Sequence, residues 1–151
     1  MFFTIIMAVL LIDQGTKALI RMLMFQGESI PVLPSIFHLT YIMNPGAAFG
    51  ILPNQHALFI TTGVLLILGV LIAYWRLPAE KRLLKVGLAL MLGGSLGNLV
   101  DRVRFGTVVD FLDFRIWPVF NLADTAIIMG VFLLAWELLK DTSKSGEGSE
   151  G

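Results

Sequence analysis

The feature that most constrains this chain is Ala57–Trp75, nineteen residues without one charged side chain. As a helix rising 1.5 Å per residue it would be about 28 Å long. That matches a bilayer hydrocarbon core of roughly 30 Å. Three more runs share this character: Leu83–Val100 with only Lys85 near its start, Val119–Trp136 with only Asp124, and Phe2–Met22 with Asp13, Lys17 and Arg21. The expected spans are residues 2–22, 57–75, 83–100 and 119–136. Composition agrees: 56% of residues are hydrophobic and 15% charged, against about 45–50% and 25% in soluble domains. So small a soluble domain would have nowhere to put that apolar surface. The expected fold class is therefore membrane all-α, a four-transmembrane-helix bundle, with residues 1–140 as one integral membrane domain. Residues 141–151, polar and Gly/Ser-rich, read as a disordered tail.

Several chemistries drop out at once. The formal charge of zero argues against a nucleic-acid partner, because phosphate neutralisation needs a basic excess. The absence of cysteine removes disulfides, thiolate zinc sites, iron–sulfur clusters and a cysteine nucleophile. Two histidines, His38 and His56, are too few for a His-rich metal site, and no GxSxG is present. Neither a metal nor another cofactor is expected.

Orientation follows from Lys and Arg in the short loops. Arg76, Lys81, Arg82 and Lys85 surround the loop between spans two and three, and Lys140 and Lys144 follow span four. The first loop, Phe25–His56, has neither residue type. Both termini are thus expected in the cytoplasm, although the third loop mixes Arg102, Arg104 and Arg115 with Asp101, Asp110 and Asp113. Span one lacks a basic stretch before it and a small-x-small site after it, so it reads as a retained helix rather than a cleaved leader. Within the first loop, Ser29–Met43 is β-branched and aromatic, broken by Pro31 and Pro34. It suggests short strands with interruptions, lying on the outer face.

The polar residues within the spans carry the chemistry. Asp13 and Lys17 stand one helical turn apart, as a self-compensating pair would. Asn44-Pro45-Gly46 marks a turn. Gly93 and Gly97 form a GxxxG pattern that admits a neighbouring helix. Asn98, Asp101 and Arg102 then follow at i, i+3 and i+4, either as a salt-bridged helix end or as part of a site. Asp110 ends a short extended piece, and Asn121 and Asp124 fall one turn apart in span four, with Asp124 roughly 8 Å below the start of that helix. A lone carboxyl at that depth costs several kcal/mol unless paired. Two carboxyls close together in a low-dielectric place share one proton. Such a pair can hydrolyse an amide: one member activates water, and the other polarises the carbonyl and protonates the leaving amine.

Asp13-Gln14-Gly15-Thr16-Lys17, Asn44–Gly50, Gly97–Val103, Val108-Val109-Asp110-Phe111 and Phe120-Asn121-Leu122-Ala123-Asp124, in this order, resemble lipoprotein signal peptidase, the bacterial type II signal peptidase. The resemblance covers nearly the whole chain except the tail. It implies an intramembrane aspartyl endopeptidase of the bacterial cytoplasmic membrane, which removes the signal peptide of a prolipoprotein just before a diacylglyceryl-modified cysteine. It puts the catalytic pair on Asp110 and Asp124. Asn44, Gly46, Asn98, Arg102 and Asn121 fall on positions lining the substrate or inhibitor pocket, Asp101 on a support for Arg102, and Asp13 and Lys17 on a scaffold pair. It further implies that the β-rich part of the first loop is a small extracytoplasmic cradle that embraces the substrate, with diacylglyceryl prolipoproteins, membrane lipids and globomycin-type inhibitors as partners.

Two features depart from that pattern: the chain begins almost directly with span one, and the Asp110-to-Asn121 connection is short. A competing class is a small transporter or proton-conducting protein, which also carries intramembrane Asp, Lys and Asn. Transporters usually show repeats and broken spans. No repeat is visible here, and the acids gather toward one side. A purely structural subunit would leave the two buried acids unexplained.

Overall fold

The computed structural model describes residues 1–46 and 55–147, with side chains described as far as Lys140. The second half of the Asn44–Gly50 motif therefore lies outside the described residues. Four helices form the frame: α1 (Phe2–Leu23), α2 (His56–Arg76), α3 (Arg82–Phe105) and α4 (Leu122–Glu147). Each is long and apolar enough to cross a membrane, and a helix satisfies its own backbone where no water can. Lipid-facing positions keep large apolar side chains such as Leu65, Ile72 and Phe132 exposed.

Helix α3 is the hub, with α1, α2 and α4 all packed on it. Its glycines explain why. A Cβ at Gly93 would strike Val9 and the Ile6 carbonyl of α1, and one at Gly94 would strike the Ala123 carbonyl of α4. Near the other end, Gly87 and Gly130 bring the α3 and α4 backbones into direct contact. At that end an apolar cluster of Phe2, Ile6, Val70, Leu88, Ala89 and Leu92 closes the bundle. Phe2 stacks on Tyr74 at 3.7 Å between centroids, and Lys85 lies over the same ring at 5.5 Å. The start of α1, the end of α2 and the start of α3 therefore share one end of the molecule.

At the opposite end sits an antiparallel sheet in the order β1 (Ser29–Leu33), β2 (Phe37–Asn44), β3 (Val108–Asp113). The cradle is thus wider than the first loop alone, because β3 comes from the third loop. Pro31 lies on edge strand β1, where a missing N–H does least harm.

Several boundaries differ from those read off the sequence. Helix α3 runs on to Phe105 rather than ending near Val100, and so carries Asn98, Asp101 and Arg102 on a regular helix. It stops at Gly106, whose left-handed φ of 72° suits glycine and whose N–H bonds to the Arg102 carbonyl. Helix α4 begins at Leu122 rather than at Val119. Asp124 is accordingly in the first turn, about 3 Å along the axis instead of 8 Å. Helix α4 also continues to Glu147, past the start of the polar segment, since extending a formed helix costs far less than nucleating one. Residues 148–151 lie outside the described residues.

Candidate active site

Asp110 reaches its place through strand alternation. On β3, Val109 and Phe111 point into a second apolar cluster with Met24 and Tyr41. Val108 and Asp110 must then face the other way, where both line a cavity. Asp124 reaches the same cavity through a helix cap. Asn121 precedes α4, and its Oδ1 accepts the Asp124 N–H at 2.9 Å. In return, Asp124 Oδ2 accepts the Asn121 N–H at 3.2 Å. This reciprocal capping box satisfies two donors that a helix start leaves free.

The two carboxylates are bridged by amides. Asn98 Nδ2 donates to Asp124 Oδ1 at 2.7 Å, and Asn121 Nδ2 donates to both Asn98 Oδ1 at 3.1 Å and Asp110 Oδ1 at 2.7 Å. Asn44 Nδ2 donates to the other Asp110 oxygen at 2.9 Å, while its own Oδ1 accepts the Gly46 N–H at 3.0 Å in an Asx-type turn. Burial, then the negative charge of Asp124, raise the Asp110 pKa from 3.8 to about 7, outweighing the Asn44 and Asn121 hydrogen bonds that oppose the shift. Asp110 is 3% exposed.

Behind this pair lies a fully buried ionic cluster. Lys17 Nζ contacts Asp13 Oδ2 at 2.9 Å, Asp101 Oδ2 at 3.1 Å and Asn98 Oδ1 at 2.9 Å, which uses all three ammonium donors. Gln14 Nε2 lies within 3.2 Å of Asp13 Oδ2, 3.1 Å of the Gly97 carbonyl and 3.0 Å of Asp101 Oδ1. The two acids of the cluster also hold the backbone beside the two acids of the site. Asp13 Oδ1 accepts the N–H of Ala123 at 3.0 Å, and Asp101 Oδ2 accepts the N–H of Val109 at 3.1 Å. Those are the residues immediately before Asp124 and Asp110.

The cavity measures about 500 Å³. Asn44, Gly46, Asn98, Arg102, Asp110 and Asp124 line it, so the structure brings together most of the residues singled out from the sequence. Asn121 does not line it; it is fully buried behind the pair and acts on both carboxylates from there. Asp101 turns to Lys17, Gln14 and Val109, one residue and roughly 100° around the helix from Arg102. Arg102 instead spreads its guanidinium over the Phe59 ring of α2 at 5.2 Å.

Two parts of the site were not found by sequence reasoning. Gln14 stands inside a quoted motif, yet nothing in its type signalled that it would tie Asp13 to Asp101. The cavity's apolar wall, Phe114 through Phe120, is the short connection before α4. Its signal was available: a loop reading Phe-Arg-Ile-Trp-Pro-Val-Phe is unusually apolar. Phe114 stacks on Phe120 at 5.9 Å and meets Phe37 of β2 at 4.9 Å, fixing the wall to the sheet.

Comparison with known proteins agrees with this geometry. The family model described as signal peptidase (SPase) II matches residues 5–140. A lipoprotein signal peptidase of Pelotomaculum thermopropionicum is 63% identical over 145 residues, covering 96% of this chain and 95% of the relative. One from Moorella thermoacetica is 54% identical, covering 96% and 97%. Among solved structures, one described as a bacterial membrane enzyme structure obtained by the in meso method superposes with a TM-score of 0.90 at 35% identity, covering 95% of this chain and 90% of the other. With the family model spanning all four helices, the chain belongs to the signal peptidase II family.

Proposed function

We propose that this chain removes the signal peptide of prolipoproteins by hydrolysing the peptide bond just before a diacylglyceryl-modified cysteine, with Asp110 and Asp124 as its catalytic pair. The observation that carries this reading is the joint placement of two carboxylates, linked by Asn98 and Asn121, on one apolar-walled cavity. Asp110, raised to about 7, holds the shared proton at rest. Asp124 takes a proton from the attacking water, while Asp110 polarises the scissile carbonyl and then protonates the departing amine. Asn44, Gly46, Asn98 and Arg102 orient the substrate backbone at the cavity rim. The wall from Phe114 to Phe120, with Ile127 and Ile128, receives the acyl chains of the modified cysteine. Inhibitors of the globomycin type occupy this same cavity.

The site lies at the end of α3 remote from the basic loop of Arg76, Lys81 and Arg82. With that loop in the cytoplasm, the site faces the outer side of the bacterial inner membrane, and both termini are cytoplasmic. A transporter or proton conductor is not favoured. A relay needs polar groups along its length, whereas an apolar cluster closes the opposite half of this bundle.

The test is a gel-shift cleavage assay on a diacylglyceryl-modified prolipoprotein in lipid, with and without globomycin. Wild type is expected to cleave and the inhibitor to block it. Equal turnover of an unlipidated substrate would remove the acyl-chain role, and no cleavage by folded protein would overturn the reading.

A further inference from the structure

The active-site cavity does not end at the two carboxylates. Asn98, Arg102 and Ile127 line it and also line a second cavity of about 200 Å³. This second space lies between α2 and α4, with α3 as its floor. Thr62, Gly63 and Leu66 form its α2 side, and Ser95 and Leu99 rise from α3. Ser95 stands about one turn further toward the membrane middle than Asn98 and Leu99.

Ser95 is the unusual member. It is 5% exposed, and its Oγ has no hydrogen-bond partner among the described residues. A hydroxyl on a membrane helix ordinarily bonds back to a carbonyl one turn earlier. Thr62 does so, donating to the Leu58 carbonyl at 2.9 Å. Ser95 leaves its donor and acceptor capacity unused in a place where unused polar groups are costly.

We propose that this second cavity is the subsite for the stretch of signal peptide immediately preceding the cleaved bond, and that the Ser95 hydroxyl pairs with a backbone amide group of that stretch. The proposal rests on the prolipoprotein reading above. A peptide bond inside a helix is shielded, so the segment at the carboxylates must be extended. An extended segment within the bilayer strands its own N–H and C=O groups, which lipid cannot satisfy. A signal peptide crossing from the cytoplasm puts the residues before the cysteine deeper than the cysteine, and the second cavity is the deeper one. A hydroxyl gives and accepts, so it can meet either stranded group. An acyl chain would leave Ser95 unpaired and finds a wholly apolar surface on the other side, along Phe114, Ile116 and Trp117.

The chain has no cysteine, and the substrate's own cysteine is blocked as a thioether, which makes thiol cross-linking background-free. Asp124→Asn protein carrying Thr62→Cys is oxidised with a diacylglyceryl prolipoprotein bearing one free cysteine at each position before the cleaved bond in turn. Cross-links are expected two to four residues before that bond, and none with Leu68→Cys on the lipid-facing side of α2. In the otherwise wild-type enzyme, Ser95→Ala should lower kcat/KM on the full substrate about three- to tenfold, the worth of one neutral hydrogen bond. Ser95→Thr should restore it, and a lipopeptide starting one residue before the cleaved bond should not distinguish the variants. No cross-link at Thr62→Cys, an equal one at Leu68→Cys, or labelling by a photoactivatable acyl chain instead would overturn the subsite. Equal losses on both substrates would reduce Ser95 to a structural role. Wild type cleaving neither substrate would sink the prolipoprotein reading itself.

Discussion

Two clusters of carboxylates lie side by side in this bundle and are treated in opposite ways. Asp13 and Asp101 face a lysine that spends every donor on them and Asn98, and all three side chains are fully buried. Among the described residues, Asp110 and Asp124 take their hydrogen bonds from amides and backbone N–H groups, and they open onto a cavity that they share with Arg102. A lysine that bonds both carboxylates ties them into one rigid scaffold. Neutral donors hold a carboxylate in place without an ion pair. On the proposed function, the difference in partners, rather than in residue type, separates the scaffold acids from the reacting ones.

Asp110→Asn or Asp124→Asn should lower cleavage by at least about 10²–10⁴-fold, the usual worth of a general acid or base, with the thermal midpoint in detergent close to wild type. A variant that still cleaves at near wild-type rate would remove its residue from the pair. Lys17→Ala should act in reverse, since it strands two buried carboxylates. A loss of about 3–5 kcal/mol is expected, read as reduced folded protein on a sizing column and a lowered thermal midpoint.

A methyl at Gly97 would press on the Asp13 carboxylate, so Gly97→Ala should cost about 1–3 kcal/mol. Adding the substitution to Lys17→Ala should cost less than the sum, because both disturb one network. The pH profile reports the other cluster. Asp110 must be protonated to act as the acid, so kcat/KM should fall as pH rises through about 7, by about tenfold per unit. The stability sign runs the same way. The folded protein keeps a proton that the unfolded chain releases near 3.8, so this group's contribution is complete below that value and is lost as pH climbs through about 7. An activity profile flat from pH 6 to pH 9 would move the shared proton off Asp110.

Much of this was legible in the sequence because it rests on composition and spacing. Uncharged runs announce spans, and Asp13 and Lys17 at i and i+4 announce a pair. What escaped depends on which partner a group finds across the fold. The pairing of β3 with β2 joins residues from two separate loops, and no local pattern foretells it. Asn121 read as a residue inside a span, yet a short polar side chain at a helix start is a stronger signal for a cap than for a lining. Asp101 could be placed on the correct helix, but its turn toward Lys17 follows from how α1 docks, which spacing on α3 alone does not contain.

Since the first turn of α4 closes on Asp124 itself, the angular setting of that carboxylate is fixed by the helix start and not by the length of the loop leading to it. The segment from Phe114 to Pro118 is therefore free to lengthen, shorten or change side chains without turning the Asp124 carboxylate away. Such a chain can reshape the cavity wall while the Asp124 carboxylate stays in register.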